Sequence, residues 1–409
     1  MHVLTDIRQL ATCPPGATDA GLLDDAALVW DDGVVLWAGP QAELPEAYHS
    51  ANATSAEGRL VVPGLIDCHT HLAFGGDRAD EFVERLKGTP YLEIARRGGG
   101  ILNSVRATRA ASSEHLLELA GARLGGMLRQ GVTTVEAKSG YGLNVADEIK
   151  TLQVYRQLEA EHPQRIVSTL LAAHAVPPEY VDDRAGYLHL ITDEIIPAAV
   201  GLATFVDVFV EQGAFTPDEA RTVFEAGRCY GLVPKLHADQ LSDTGGAELA
   251  VDVGAASADH LECISDAGIE ALASSNTVAV SLPTATLVLG QDPLPARRLL
   301  DAGAAVAVAT DFNPGSAPSP SLPLALWLAC TRQRMTPQEA LRGATTVAAR
   351  ALQLDSVGSL RPGYAADFAI LDAPTLDAWL YAFSPSDALR TVIAGETVWR
   401  RDEETGTRK

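Results

Sequence analysis

The chain has 409 residues, 47% of them apolar, and a formal net charge of −22. That length suits one large domain plus a smaller one, and the apolar content excludes a disordered chain. The charge excludes the basic footprint of a nucleic-acid binder, and it means that an anionic substrate would need a local cation of its own.

The first residues, "MHVLTDIRQLATCPP", carry no basic segment followed by an apolar one, so no secretory signal is expected. The next segment, "AALVWDDGVVLWAG", places two apolar runs around Asp31-Asp32-Gly33, a hairpin signal. Near the other end, "AADFAILD" and "TVIAGETVWR" read as strands, the second turning at Ala394-Gly395-Glu396. Both ends are β-rich. They predict one small β-sandwich-like domain, built from residues 1–58 and 356–409, with residues 59–355 inserted between them as the larger domain.

Between the ends, short apolar runs alternate with helical patterns. The runs are "RLVVPGLIDCHTH", "GVTTVEAKSG", "IVSTLLAAHAV", "FVDVFVEQGAF", "LVPKLHADQL", "ASADHLE", "NTVAVSLPTAT" and "AVAVATDFNP". Helix-like segments such as "NVADEIKTLQVYRQLEAEH" and "TPDEARTVFEAGRCYG" lie between them, the latter opened by Thr216, Pro217 and Glu219. Eight such units predict an α/β fold, a (β/α)8 TIM-type barrel. An open doubly wound sheet is the alternative, weakened because no GxGxxG follows the first strand. The apolar runs are far too short to span a membrane. Cys13, Cys68, Cys229, Cys263 and Cys330 are scattered without a CxxC pair. A reducing compartment and a cytoplasmic location are expected.

In such barrels the chemistry sits at the C-terminal ends of the strands. The polar residues of this chain fall there: His69 and His71, Glu136 and Lys138 followed by Tyr141, His174, Glu211, His237 with Gln240, His260, and Asp311. Side chains two apart on a strand share a face, so His69 and His71 can reach one point. Each residue alone has a plainer reading as a buried histidine, a turn former or a surface group. Together, imidazoles and carboxylates are costly to bury unless an ion offsets the cost. Histidines with one carboxylate suit zinc or iron better than magnesium or calcium.

"GLIDCHTH", "KLHAD", "SADHLE" and "ATDFNPG" resemble the amidohydrolase superfamily. "HLAFGGDRADEF", "EAKSGYGL", "AAHAVPPEY" and "HADQLSDTGGAELA" narrow the resemblance to its imidazolonepropionase family. The resemblance covers nearly the whole chain. It implies hydrolytic ring opening of 4-imidazolone-5-propanoate to N-formimidoyl-L-glutamate in histidine degradation. It implies one divalent or trivalent ion, zinc or iron, held by His69, His71, His237 and Asp311. Arg78, Tyr141 and His174 match substrate-binding positions, and Gln240, Asn313, Gly315 and Ser316 match further contacts. Asp311, His260 and Gln240 are the expected catalytic groups. Some members carry Glu where Gln240 stands, and Gln cannot act as a base. The implied partners are a small molecule with a carboxylate tail and a second copy of the chain in a homodimer, with no nucleic acid and no membrane.

Strand four offers no lysine for a bridging carbamate, so one ion is expected. Lys138 is read as a structural ion pair with Glu136 or another carboxylate, and Glu211 as paired with a cation. The segment 74–100 is the candidate to close over the substrate. The rivals are another mononuclear amidohydrolase, such as a nucleobase or heterocycle deaminase, and a non-catalytic barrel scaffold.

Overall fold

The computed structural model describes residues 1–89, 93, 94 and 97–401. Eight parallel strands follow one another in sequence order: Leu65–Asp67, Val132–Lys138, Arg165–Ala173, Phe205–Val210, Val233–Ala238, Ser257–His260, Val278–Ser281 and Val306–Val308. The segment after the eighth returns to the first. Thr70 bridges Phe312, the His71 N–H donates to the Phe312 carbonyl (2.8 Å), and the Asp311 N–H donates to that of His69 (3.1 Å). These contacts close the sheet into the expected barrel, and closure removes its edges.

The helices begin where the sequence predicts. Val145–Glu161 is capped by the Asn144 side chain and Asp266–Ala273 by Ser265. Before Pro217–Cys229, Thr216 and Glu219 form both halves of a capping box. Strands covered by helices outside and packed side chains inside are buried on both faces. All seven residues of Val132–Lys138 are buried, including Glu136 and Lys138. Polar groups on such strands must find partners inside the barrel.

The second sheet unites the two ends of the chain. Its seven strands run in the order Glu396–Arg400, Ala388–Ile393, Phe368–Leu371, Asn52–Pro63, His2–Ala11, Leu22–Asp31 and Val34–Pro40. Two tight turns serve it, Asp32-Gly33 and Ala394-Gly395, all four residues at positive φ, as the hairpin turn compatible with strand twist requires. One expectation is corrected. "RLVVPGLID" is not one strand, because Leu60–Pro63 pairs with Phe368–Leu371 while Leu65–Asp67 opens the barrel. The chain changes sheets at Gly64, where a Cβ would lie 2.2 Å from Thr133 Oγ1.

Candidate active site

Strand one delivers His69 and His71 just past Asp67, strand five ends on His237 and Ala238, strand six ends on His260, and Asp311 follows strand eight. The rings converge. Centroids are 4.6 Å apart for His69 and His237, 5.5 Å for His69 and His71, and 5.4 Å for His237 and His260. His174 stacks on His71 at 5.1 Å, and Tyr141 lies 5.4 Å from His174. All of these residues are buried. His260, Leu261 and Asp311 have positive φ of 81°, 69° and 54°. Such backbone costs on the order of 1–3 kcal/mol per residue and gathers at functional sites.

The donor atoms suit a metal ion. Those of His69, His71 and His237 lie within 4.8 Å of one another, and so do those of His69, His260 and Asp311. Asp311 Oδ1 is 3.4 Å from His69 Nε2 and 3.5 Å from His71 Nε2. These separations are long for hydrogen bonds. They match the roughly 3.3–3.5 Å between two ligands that share a tetrahedral ion at about 2.0–2.1 Å. The Nε2 atoms of His69 and His237 are buried and find no hydrogen-bond partner among the described residues. Their opposite nitrogens are held: His69 Nδ1 donates to Asp259 Oδ2 at 2.6 Å and His237 Nδ1 to Asp207 Oδ1 at 3.0 Å. A histidine with Nδ1–H on a carboxylate and Nε2 bare is oriented for ligation. Burial first, then the charge of Lys138, pushes both imidazoles well below their usual pKa, and the neutral form is the one that binds metal. The second triad also brings His260 within reach of this point, which the sequence did not single out as a ligand.

A separate set of residues forms a cationic wall. Arg78 is buried, donates from Nε to Ser104 Oγ at 3.0 Å, and makes no ion pair among the described residues. A Cβ on Gly315 would sit 2.1 Å from Arg78 Nη1, so only glycine admits the guanidinium there. Asn313 builds the loop that carries Gly315. Its side-chain oxygen accepts from the N–H groups of Gly315 and Ser316 at 2.8 Å each, and its NH2 donates to the Asp311 carbonyl at 2.7 Å. The Ser316 hydroxyl donates to Asp311 Oδ2 at 3.4 Å. On the outer side, Arg85 Nη2 donates to the Gly315 carbonyl at 3.4 Å.

His174 Nδ1 lies 3.0 Å from the Gly140 carbonyl. A carbonyl only accepts, so Nδ1 carries the proton and Nε2 is bare. Burial, then His71, then Arg78 among the further causes lower the His174 pKa to about 3. The loop that holds Tyr141 hangs on Glu148, whose carboxylate accepts from the N–H groups of Gly140, Gly142 and Leu143 at 3.1, 2.8 and 2.7 Å. At His260, burial opposes the charge, but Glu262, 3.7 Å from Nδ1, raises the pKa.

Lys138 makes the expected ion pair with Glu136 at 2.7 Å, and a second with Asp207 at 2.7 Å. Among the described residues, Glu211 does not pair with the cation expected for it. Its carboxylate accepts from the N–H groups of Gln212 (2.8 Å) and Leu241 (2.7 Å) and from the Ser242 hydroxyl, which fixes the loop beside Gln240. Residues 90–92, 95 and 96 of the segment expected to close over the substrate lie outside the described residues. Sequence reasoning missed Asp207, Asp259 and Glu148. The signal was there for the first two, since a carboxylate inside an apolar strand, as in "FVDVFV" and "SADHLE", needs a buried partner.

Residues 60–398 match the amidohydrolase family. An imidazolonepropionase of Geobacillus thermodenitrificans is 47% identical over 387 residues, covering 93% of this chain and 91% of the relative. That of Paracoccus denitrificans is 48% identical over 399 residues, covering 95% and 98%. Among solved structures, the zinc complex of atrazine chlorohydrolase TrzN from Arthrobacter aurescens is similar in fold, with a TM-score of 0.71, 18% identity, and 98% and 95% of the two chains covered. For 5-methylcytosine deaminase from Klebsiella pneumoniae the TM-score is 0.72 at 19% identity, with 98% of each chain covered.

Proposed function

The chain belongs to the amidohydrolase family, and from that premise we propose that it hydrolyses 4-imidazolone-5-propanoate to N-formimidoyl-L-glutamate. The observation that carries this reading is the buried Arg78, with no ion pair among the described residues, close to the histidine cluster in a chain of net charge −22. Guanidinium matches carboxylate in two parallel hydrogen bonds. Relatives named for this activity, 44–48% identical over nine-tenths of the chain, support the same substrate. The scattered cysteines favour a cytoplasmic setting, and the resemblance implies a homodimer.

His69, His71, His237 and Asp311 would hold one zinc or iron ion. When bound, such an ion supplies Lewis-acid chemistry, polarising a carbonyl and making water more acidic. Arg78 clamps the propanoate. The bare Nε2 of His174 accepts a ring N–H, and Tyr141 fixes the ring from the other side of that histidine. Asn313, Gly315 and Ser316 shape the wall behind the carboxylate. Gln240 orients the ring amide or the attacking water, and as an amide it takes no proton. Asp311 accepts the proton of the water that attacks the ring carbonyl carbon, then returns it to the ring nitrogen as the C–N bond breaks. His260 donates an N–H to the oxyanion that forms.

The test is a substrate panel. The native protein should convert 4-imidazolone-5-propanoate to a product identified by mass as N-formimidoyl-L-glutamate, and leave cytosine and guanine untouched. Deamination of either base, without ring opening of the imidazolone, would replace this reading with the deaminase one.

A further inference from the structure

We propose that Lys138 is a positioning residue for the metal centre, holding His69 and His237 in their ligating orientation together through Asp259 and Asp207. This rests on the reading of those histidines as ligands. Lys138 is fully buried, and its ammonium touches three carboxylates: Glu136 Oε1 and Asp207 Oδ2 at 2.7 Å, and Asp259 Oδ2 at 3.6 Å. Asp207 spends its other oxygen, Oδ1, on the Nδ1–H of His237 at 3.0 Å and the backbone N–H of the same residue at 3.2 Å. Asp259 Oδ2 accepts from His69 Nδ1 at 2.6 Å, while its Oδ1 has no hydrogen-bond partner among the described residues. One ammonium therefore stands behind both carboxylates that orient the two imidazoles.

The ammonium is itself fixed in place. Glu136 Oε1 also accepts from the Thr169 hydroxyl at 2.5 Å and from Lys235 Nζ at 3.4 Å, and Lys235 donates to the Cys68 carbonyl at 3.2 Å. Lys138 spends two of its three donors on Glu136 and Asp207 and holds Asp259 by charge at the longer distance. Without it, Asp207 and Asp259 would be like charges in a dry interior with no shared cation beside them, and both histidines would lose a common support at once.

Charge and position make opposite predictions. Lys138 and Lys235 are the two buried ammonium groups among the carboxylates Glu136, Asp207, Asp259 and Asp311. Removing Lys138 makes the site more negative. If charge alone matters, a cation then binds more tightly. If Lys138 acts by position, it binds more weakly.

The experiment measures zinc affinity of folded, metal-stripped protein by competition with a chromophoric chelator. Native protein should bind one zinc per chain and His71→Ala should not. If His71→Ala binds zinc like the native protein, the ligand reading itself fails. Lys138→Met should bind zinc about 10–100-fold more weakly, the range for loss of a group that orients a ligand. Cobalt in the variant should show altered visible absorption, which loss of stability alone would not produce. Should Lys138→Met not fold, Lys138→Met combined with Glu136→Gln keeps the charge balance and is judged in the same way. Zinc affinity equal to or tighter than native, in a variant that folds, overturns the proposal.

Discussion

Asp311 faces two histidines through one oxygen and Ser316 through the other, so a single substitution there tests ligation and proton transfer together. Asp311→Asn is nearly isosteric and cannot take a proton. A general base contributes about 10²–10⁴-fold, so kcat should fall by at least about 10²-fold in protein whose metal content is measured alongside. Near-native turnover in a metal-replete variant would move the base to another group. Arg78→Met should lower kcat/KM by roughly 10²-fold, because each hydrogen bond to a charged group contributes about 1.5–3 kcal/mol. Gly315→Ala should reproduce much of that loss with Arg78 still present, since its methyl would occupy the space of the guanidinium. Both variants should discriminate less between the propanoate and its neutral amide, and undiminished discrimination would remove Arg78 from the carboxylate. The histidines and Asp311 stand out in the sequence because they end apolar runs, whereas Arg78, in the loop "GGDRAD", came from the resemblance. Asn313 and Gly315 were legible only as a resemblance. That one folds the loop and the other makes room depends on neighbours the sequence does not place.

The elements were read with the same unevenness, and for a physical reason. Helix starts depend on three or four consecutive residues, so Thr216-Pro217-Asp218-Glu219 announced its capping box directly. The change of sheet at Gly64 depends on pairing with residues some 300 positions away, and no local pattern carries that. The cap makes a pH-dependent prediction. Burial raises the Glu219 pKa, but Arg184 and the Thr216 N–H outweigh it and hold the carboxyl below its ordinary value. A depressed carboxylate contributes stability above its unfolded pKa and loses it as pH falls through the folded one. Glu219→Gln should therefore cost about 1 kcal/mol at pH 7, a modest figure because Arg184 is partly solvated. Melting curves of variant and native protein should draw together as the pH falls below about 4, the range of an ordinary glutamate, and meet only below the lower pKa of the folded protein. A gap that persists there would mean that the glutamate acts by shape and not by charge.

At the scale of the whole molecule, the two ends form one sheet and the middle forms a closed barrel, as the order of strand and helix signals predicted. The barrel's apolar packing does not depend on an ion, whereas the buried charge at its centre does. Chelation should therefore abolish turnover and leave the helical circular dichroism nearly unchanged, and global unfolding on chelation would contradict that separation. One metal ion per chain should be what makes this protein a hydrolase of 4-imidazolone-5-propanoate. The most direct measurement titrates zinc into metal-stripped protein while following loss of the imidazolone ultraviolet absorbance. On that reading, turnover should be absent without metal and should rise linearly to a plateau at one ion per chain. Turnover that is independent of metal, a plateau at two ions, or no loss of absorbance at full loading would contradict it.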